Sequence, residues 1–279
     1  MAPHLIRRSV TLLALVPLVL SLSACLGAPL IRKFIYLPSA VPPQPDWSGL
    51  PAPQPLVVRT DDGLEISGYR WPASQSPSST LIFFHGNGGN RYTAALMAAP
   101  LRRPDTEIII ASYRGYSGNP GRPNETGLYR DGAAFLRYAR AAKPTHLYLF
   151  GFSLGGGVAL RLAADHPVDG VVTLGAFSTL ASVAPPWAAP LLPDRFDNLA
   201  AVRRLHAPLL ILHGSADDTI PLAEAAKLQA ASATPSRVVI LPDAQHHVSL
   251  GPFAPMIWHR IQAMTRRDQG APSNPPQGR

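Results

Sequence analysis

The sequence predicts an α/β fold, a mostly parallel sheet covered by helices on both faces. Three observations carry that expectation. Short apolar runs alternate with helix-period segments along most of the chain, several runs are apolar without interruption, and glycine-rich polar stretches follow the runs directly. Strand then helix, repeated, requires parallel strands joined by right-handed crossovers. An unbroken run such as Ile108-Ile109-Ile110 implies a strand buried on both faces. In such sheets ligands bind beyond the carboxyl ends of the strands, so the residues after each run are the candidates for chemistry.

Taken in order, PLVVRT and LEISGYRW flank Asp61-Asp62-Gly63 and read as a hairpin. LIFF from residue 81, EIIIASY from 107, HLYLF from 146, GVVTL from 170, PLLILH from 208 and RVVIL from 237 supply the other strands. Asn124 is placed to cap the helix ETGLYRDGAAFLRYARAA, where Leu128, Ala134, Leu136 and Tyr138 contribute to an apolar stripe. Residues 179–205 are too long for a simple connection and carry Pro185, Pro186, Trp187, Pro190 and Pro193. They read as a small cap, with Trp187, Leu191 and Leu192 as candidate pocket walls or as plain packing on the core.

The two ends differ from this middle. Residues 1–24 give Arg7 and Arg8 and then an apolar run too short to cross a bilayer, the form of a secretory signal. Leu22-Ser23-Ala24-Cys25 resembles the bacterial lipoprotein signal, in which the cysteine is lipidated and becomes the new N-terminus. The plainer alternative is an ordinary signal with a cysteine near its cleavage site. Cys25 is the only cysteine, so no internal disulfide competes for it. Leu26 rather than aspartate follows, which by resemblance to Gram-negative sorting favours the outer membrane; the expected location is the cell envelope, with membrane attachment through Cys25. Residues 25–55 then read as a lipidated N-terminus and proline-rich tether, 56–267 as the folded domain and 268–279 as a disordered tail.

A net charge of +8 over 279 residues arises from 25 basic residues, nearly all arginine, against 17 acidic ones. The arginines occur as scattered pairs, such as Arg102-Arg103 and Arg203-Arg204, rather than as a stripe interleaved with aromatics. That pattern argues against nucleic acid as a partner and fits a loose attraction to anionic lipid headgroups.

Chemistry concentrates after HLYLF, where Gly151-Phe152-Ser153-Leu154-Gly155 stands between a strand and a helix. A turn alone needs only glycines. G-x-S-x-G in this context displays a serine hydroxyl at a helix N-terminus, with the glycines giving the tight turn clearance. A serine needs a base within hydrogen-bond reach and a carboxylate to orient that base. Gly214-Ser215-Ala216-Asp217-Asp218-Thr219 follows PLLILH, and Pro242-Asp243-Ala244-Gln245-His246-His247 follows RVVIL, giving the chain order Ser, Asp, His. The loop His85-Gly86-Asn87-Gly88-Gly89-Asn90 after LIFF is either a glycine turn or a source of backbone donors for an oxyanion. His213 reads as a structural histidine at a strand end. Neither the adjacent His246 and His247 nor the rest of the chain has metal-ligand spacing, and Gly155-Gly156-Gly157 lacks the frame of a phosphate loop. Gly118-Asn119-Pro120-Gly121 reads as a turn-rich loop near the site mouth.

Six stretches in order, FFHGNGGN, SYRGYSGNPGRPNETGL, GFSLGGGVA, RFDNL, HGSADDTIP and PDAQHH, resemble the serine α/β-hydrolase superfamily across about residues 56–262. The subgroup is the short-capped one that includes depalmitoylating and serine aminopeptidase-like hydrolases. The resemblance implies an α/β-hydrolase fold with Ser153 as nucleophile, Asp217 as acid and His246 as base. It assigns the oxyanion donors to the backbone amides of Asn87 and Leu154, leaves His85 to prop its loop, and requires no metal or organic cofactor. This chain departs from the family's P-G-A-G-H by carrying Asp243 and Gln245 where glycines are usual and a second histidine, so His247 stays open as the base. The implied activity is hydrolysis of small or lipid-like acyl esters or thioesters. A peptidase or amidase with the same triad and a weakly catalytic envelope scaffold are the alternatives.

Overall fold

The computed structural model describes residues 27–76 and 78–270. The strands are β1 (Gln54–Arg59), β2 (Glu65–Trp71), β3 (Ser79–Phe84), β4 (Thr106–Ala111), β5 (Leu147–Phe152), β6 (Gly170–Leu174), β7 (Leu209–Gly214) and β8 (Ser236–Leu241). They form one sheet in the order β1-β2-β4-β3-β5-β6-β7-β8. β1 and β2 pair antiparallel across Asp61-Asp62-Gly63, where Gly63 takes φ +88°, and β2 pairs antiparallel with β4. From β4 onward every pairing is parallel. This is the α/β-hydrolase fold, and the eight expected runs are its strands.

Helices cover both faces: α1 (27–35), α2 (Arg91–Ala98), α3 (Glu125–Ala141), α4 (Leu154–Asp165), α5 (Leu180–Val183), α6 (Asn198–Val202), α7 (Ala223–Ala231) and α8 (Ala254–Gly270). Strand residues alternate between two cores, as a period of two dictates. Ile82 and Phe84 of β3 join Phe135 of α3, Val158 and Leu162 of α4 and Leu228 of α7. Leu81 and Phe83 join Ala95 of α2 and Ile257, Trp258 and Ile261 of α8. Asn124 caps α3 as expected, its Oδ1 accepting the Gly127 N–H at 2.8 Å.

Two boundaries differ from the sequence reading. The tail expected from residue 268 begins within α8, which runs to Gly270; residues 271–279, the rest of the expected tail, lie outside the described residues, as do 1–26 with the signal and Cys25. The proline-rich stretch is irregular, as its prolines require, but it is seated on the domain rather than free. Tyr36 is buried and donates from its hydroxyl to Asp194 Oδ2 at 2.9 Å, beside a two-pronged Arg32–Asp194 ion pair at 2.8 and 2.9 Å. Trp47 packs edge-on against Tyr69 and Tyr92, the Trp71 indole N–H donates to the Pro51 carbonyl, and the Ser39 carbonyl accepts the Ser117 N–H. These partners lie far along the chain, so composition alone did not reveal them.

Candidate active site

β5 ends at Phe152 and α4 begins at Leu154, leaving Ser153 to make the turn. Its backbone sits at φ 52°, ψ −119°, a region that costs an L residue about 1–3 kcal/mol. The flanking glycines make the turn possible. A Cβ on Gly151 would collide with the Gly155 carbonyl and Gly156, and one on Gly155 would collide with the carbonyls of Phe84 and His85. A Cβ on Gly86 would come within 3.1 Å of Ser153 Cβ, so the loop after β3 and the elbow after β5 touch because glycine stands between them.

Asp217 follows β7, and its side chain is buried. Its Oδ1 accepts the N–H groups of Thr219 at 3.0 Å and Ile220 at 2.8 Å, and its Oδ2 lies 2.8 Å from His246 Nδ1. A carboxylate only accepts, so Nδ1 carries the proton and Nε2 is left to act as a base. Asp218 is exposed and holds only the Thr219 hydroxyl. The loop after β8 is stitched onto the Asp217 loop: Ser215 N–H donates to the Leu241 carbonyl, Ala216 N–H to the Ala244 carbonyl, and Asp243 N–H to Ser215 Oγ. Asp243 takes φ 54°, the left-handed conformation that explains a usual glycine there and that aspartate tolerates better than most residues. This stitching turns His246 inward and leaves His247 exposed. His247 packs on Phe152, ring centres 5.2 Å apart, and has no carboxylate partner among the described residues. The Phe152 ring, next to Ser153, also lies 5.0 Å from that of His246.

Gly175, directly after β6, belongs to the site although the sequence reading passed over it. It takes φ +58°, and a Cβ there would stand 3.1 Å from His246 Nδ1 and 3.2 Å from Asp217 Oδ2. The available signal was a glycine closing the run GVVTL at a sheet end.

The loop after β3 is held from several sides. His85 is buried against Tyr113 and Tyr116, with Nδ1 2.8 Å from the Gly86 carbonyl; burial lowers its pKa to about 4, so it is neutral near pH 7 and props the loop. The Asn87 side chain accepts from Leu37 N–H and the Tyr116 hydroxyl and donates to the Ile35 carbonyl, tying the loop to the end of α1 and the segment that follows it. The backbone N–H groups of Asn87 and Leu154 have no acceptor among the described residues. His213 is fully buried, with Nε2 2.8 Å from the Ile220 carbonyl and 3.6 Å from Asp217 Oδ2, a brace for the Asp217 loop.

A cleft of about 510 Å³ opens beside the elbow, lined by Gly86, Asn87, Phe152 and His247 and walled by Leu96, Met97 and Val248. Trp187, Leu191 and Leu192 do not reach it. They line another cavity of about 510 Å³, closed on its far side by Ile31, Phe34 and Ile35 of α1 and containing none of Ser153, Asp217, His246, Asn87 or Leu154. The reason is the Arg32–Asp194 pair, which brings α1 against the cap and gives those side chains a different partner. Among the described residues no cluster of His, Cys, Asp or Glu could hold a metal ion.

The model of the alpha/beta hydrolase fold family matches residues 79–204. An uncharacterized protein of Mycobacterium tuberculosis is 36% identical over 225 residues, 77% of this chain and 80% of that one. Alpha/beta hydrolase domain-containing protein 17B of Xenopus tropicalis is 29% identical over 170 residues, 59% of each chain. Among solved structures, a Pyrococcus furiosus esterase matches with a TM-score of 0.66 at 18% identity, over 83% of this chain and 97% of that one, a likeness of fold. With a family pattern running from β3 into α6 and a mycobacterial relative matched along most of both chains, this protein belongs to the alpha/beta-hydrolase superfamily.

Proposed function

We propose that this protein is a serine hydrolase of carboxylic esters or thioesters, held at the cell envelope through a lipid on Cys25. The observation that carries the chemistry is the strained backbone of Ser153. A connecting turn has no use for a non-glycine residue at φ 52°, ψ −119°, whereas a nucleophile gains display above the sheet end. In this reading Ser153 Oγ attacks the substrate carbonyl and passes its proton to His246 Nε2. Asp217, bonded to Nδ1, stabilises the imidazolium that forms. The unpartnered amides of Asn87 and Leu154 receive the oxyanion. His246 then protonates the leaving alcohol or thiol, and a water molecule, deprotonated by the same nitrogen, hydrolyses the acyl-enzyme. The chain's own groups supply each of these roles. The esterase among the similar folds supports ester over amide substrates, and the lipid anchor rests on Leu22-Ser23-Ala24-Cys25.

Fluorophosphonate labelling of the wild type and Ser153→Ala tests the reading. The wild type is expected to label at one serine and the variant not at all. A folded wild type that stays unlabelled would overturn it and favour a scaffold role. Gly175→Ala checks the acid–base pair: the added methyl must push on both His246 Nδ1 and Asp217 Oδ2. A displacement of that size is expected to lower kcat on a p-nitrophenyl acyl ester about 10- to 100-fold with little change in KM; unchanged kcat would remove the pair from the mechanism.

A further inference from the structure

The cavity between α1 and the cap is lined by apolar side chains throughout, and its rim faces solvent. Phe34 is 79% exposed, Trp187 76% and Leu191 58%, and all three line it. Leu30, one turn before Phe34 and on the same helical face, is 58% exposed. Contiguous exposed apolar surface of this kind marks a binding face. The two walls are locked together by polar contacts on their inner side, the Arg32–Asp194 ion pair and the Tyr36 hydroxyl on Asp194. α1 therefore presents its apolar side outward while its arginine points in.

We propose that this face seats in the lipid bilayer, with Phe34, Trp187 and Leu191 at the boundary between headgroups and acyl chains. The proposal rests on the reading that Cys25 carries the lipid anchor. Ile31 on the cavity wall stands six positions after Cys25, a span of at most about 22 Å even when fully extended. A lipid at Cys25 thus confines the face to the bilayer surface, which selects membrane over any other occupant. The chemistry agrees. Tryptophan favours the interface, phenylalanine and leucine the shallow acyl region, and the exposed Lys33 beside Phe34 suits anionic headgroups, as does the net charge of +6 that remains when residues 1–24, with Arg7 and Arg8, are removed from a chain of +8.

The consequence reaches the active site. Ile35 at the end of α1 and Leu37 just after it bond directly to the Asn87 side chain, so a seated α1 holds the oxyanion loop and its cleft next to the lipid. The substrate class that follows is an amphiphilic acyl ester or thioester taken from the membrane, not a freely diffusing one.

The test uses the full chain on vesicles of phosphatidylethanolamine and phosphatidylglycerol whose acyl chains are brominated, reading flotation and tryptophan quenching together. Wild type is expected to float and to be quenched. Trp187→Phe is expected to float equally with most of the quenching gone, and Phe34→Glu combined with Leu191→Glu to lose at least half of it. Flotation with quenching identical in wild type and Trp187→Phe would overturn the proposal, showing a chain held by its anchor alone; failure to float would overturn it as well. So would a lipid-free dimer, seen by sedimentation and abolished by Phe34→Glu, since a second copy would then cover the face. Fluorophosphonate labelling of the same samples reports Ser153 and the fold of each variant, and the mass of the Cys25 peptide reports the anchor, so failure of the earlier readings is seen separately.

Discussion

His246→Ala is expected to lower kcat/KM for a short acyl ester by about 10⁵- to 10⁶-fold, and His247→Ala by less than about tenfold. The two residues are adjacent and chemically identical, so the difference must come from position. His246 is buried with Nδ1 2.8 Å from Asp217 Oδ2, while His247 is exposed at the cleft rim and packs on Phe152. Only the first is oriented and electrostatically supported as it takes up a proton. Asp217→Asn keeps the shape of the site but favours the wrong tautomer of His246, with an expected loss of about 10⁴-fold in kcat. Asp218→Asn touches no ring nitrogen and is expected to change little. Steady-state kinetics on p-nitrophenyl acetate, with thermal midpoints as a control for folding, reads all four variants. A larger loss for His247→Ala than for His246→Ala would reassign the base.

What could be read from the chain follows the range of the interactions involved. The strands from β3 to β7 were legible because the core demands apolar residues on both faces of a central strand, and almost nothing else satisfies that demand. Ser153 was legible because the steric requirement of the elbow is local, confined to Gly151 and Gly155 two residues away. The choice of His246 leaned on resemblance at a point where Asp243 and Gln245 depart from the family pattern; beside it stand a positive φ at Asp243 and two loops bonded to one another, which set His246 and not His247 next to Asp217. The misplaced features share one cause. Tyr36 meets Asp194, Leu37 meets Asn87 and α1 meets the cap through contacts spanning 50 to 162 positions, which no period or turn signal records. Residues 36–53 of the expected tether carry no helix or strand, while α1 and the start of β1 fall within its two ends, and irregular backbone is not the same as a free linker.

Arg114→Ala is the substitution expected to cost the most stability, about 3–5 kcal/mol. Arg114 lies in the SYRGYSGNPGRPNETGL stretch, whose structural purpose is now visible. Its guanidinium binds Asp131 at 2.8 and 3.0 Å and Asp62 at 2.8 and 3.0 Å, joining α3 to the turn of the β1–β2 hairpin. Gly127 makes room, since a Cβ there would meet Arg114 Cδ. Asp131 is wholly buried, and burial already raises its pKa against the opposing pull of Arg114. Remove the arginine and only the Arg114-position backbone N–H remains to that carboxylate, so an unpaired charge is left in the core. Protonation can relieve it. A carboxyl whose folded pKa is raised binds more protons folded than unfolded, which makes stability fall as pH rises through the folded pKa. The deficit of Arg114→Ala relative to wild type is therefore expected to be smaller at pH 4.5 than at pH 7. Arg114→Met combined with Asp131→Leu removes the buried charge together with its partner and is expected to be milder than Arg114→Ala alone. Urea unfolding of the three proteins at both pH values checks each step; a deficit for Arg114→Ala that grows toward acid would show that Asp131 is not the group left stranded.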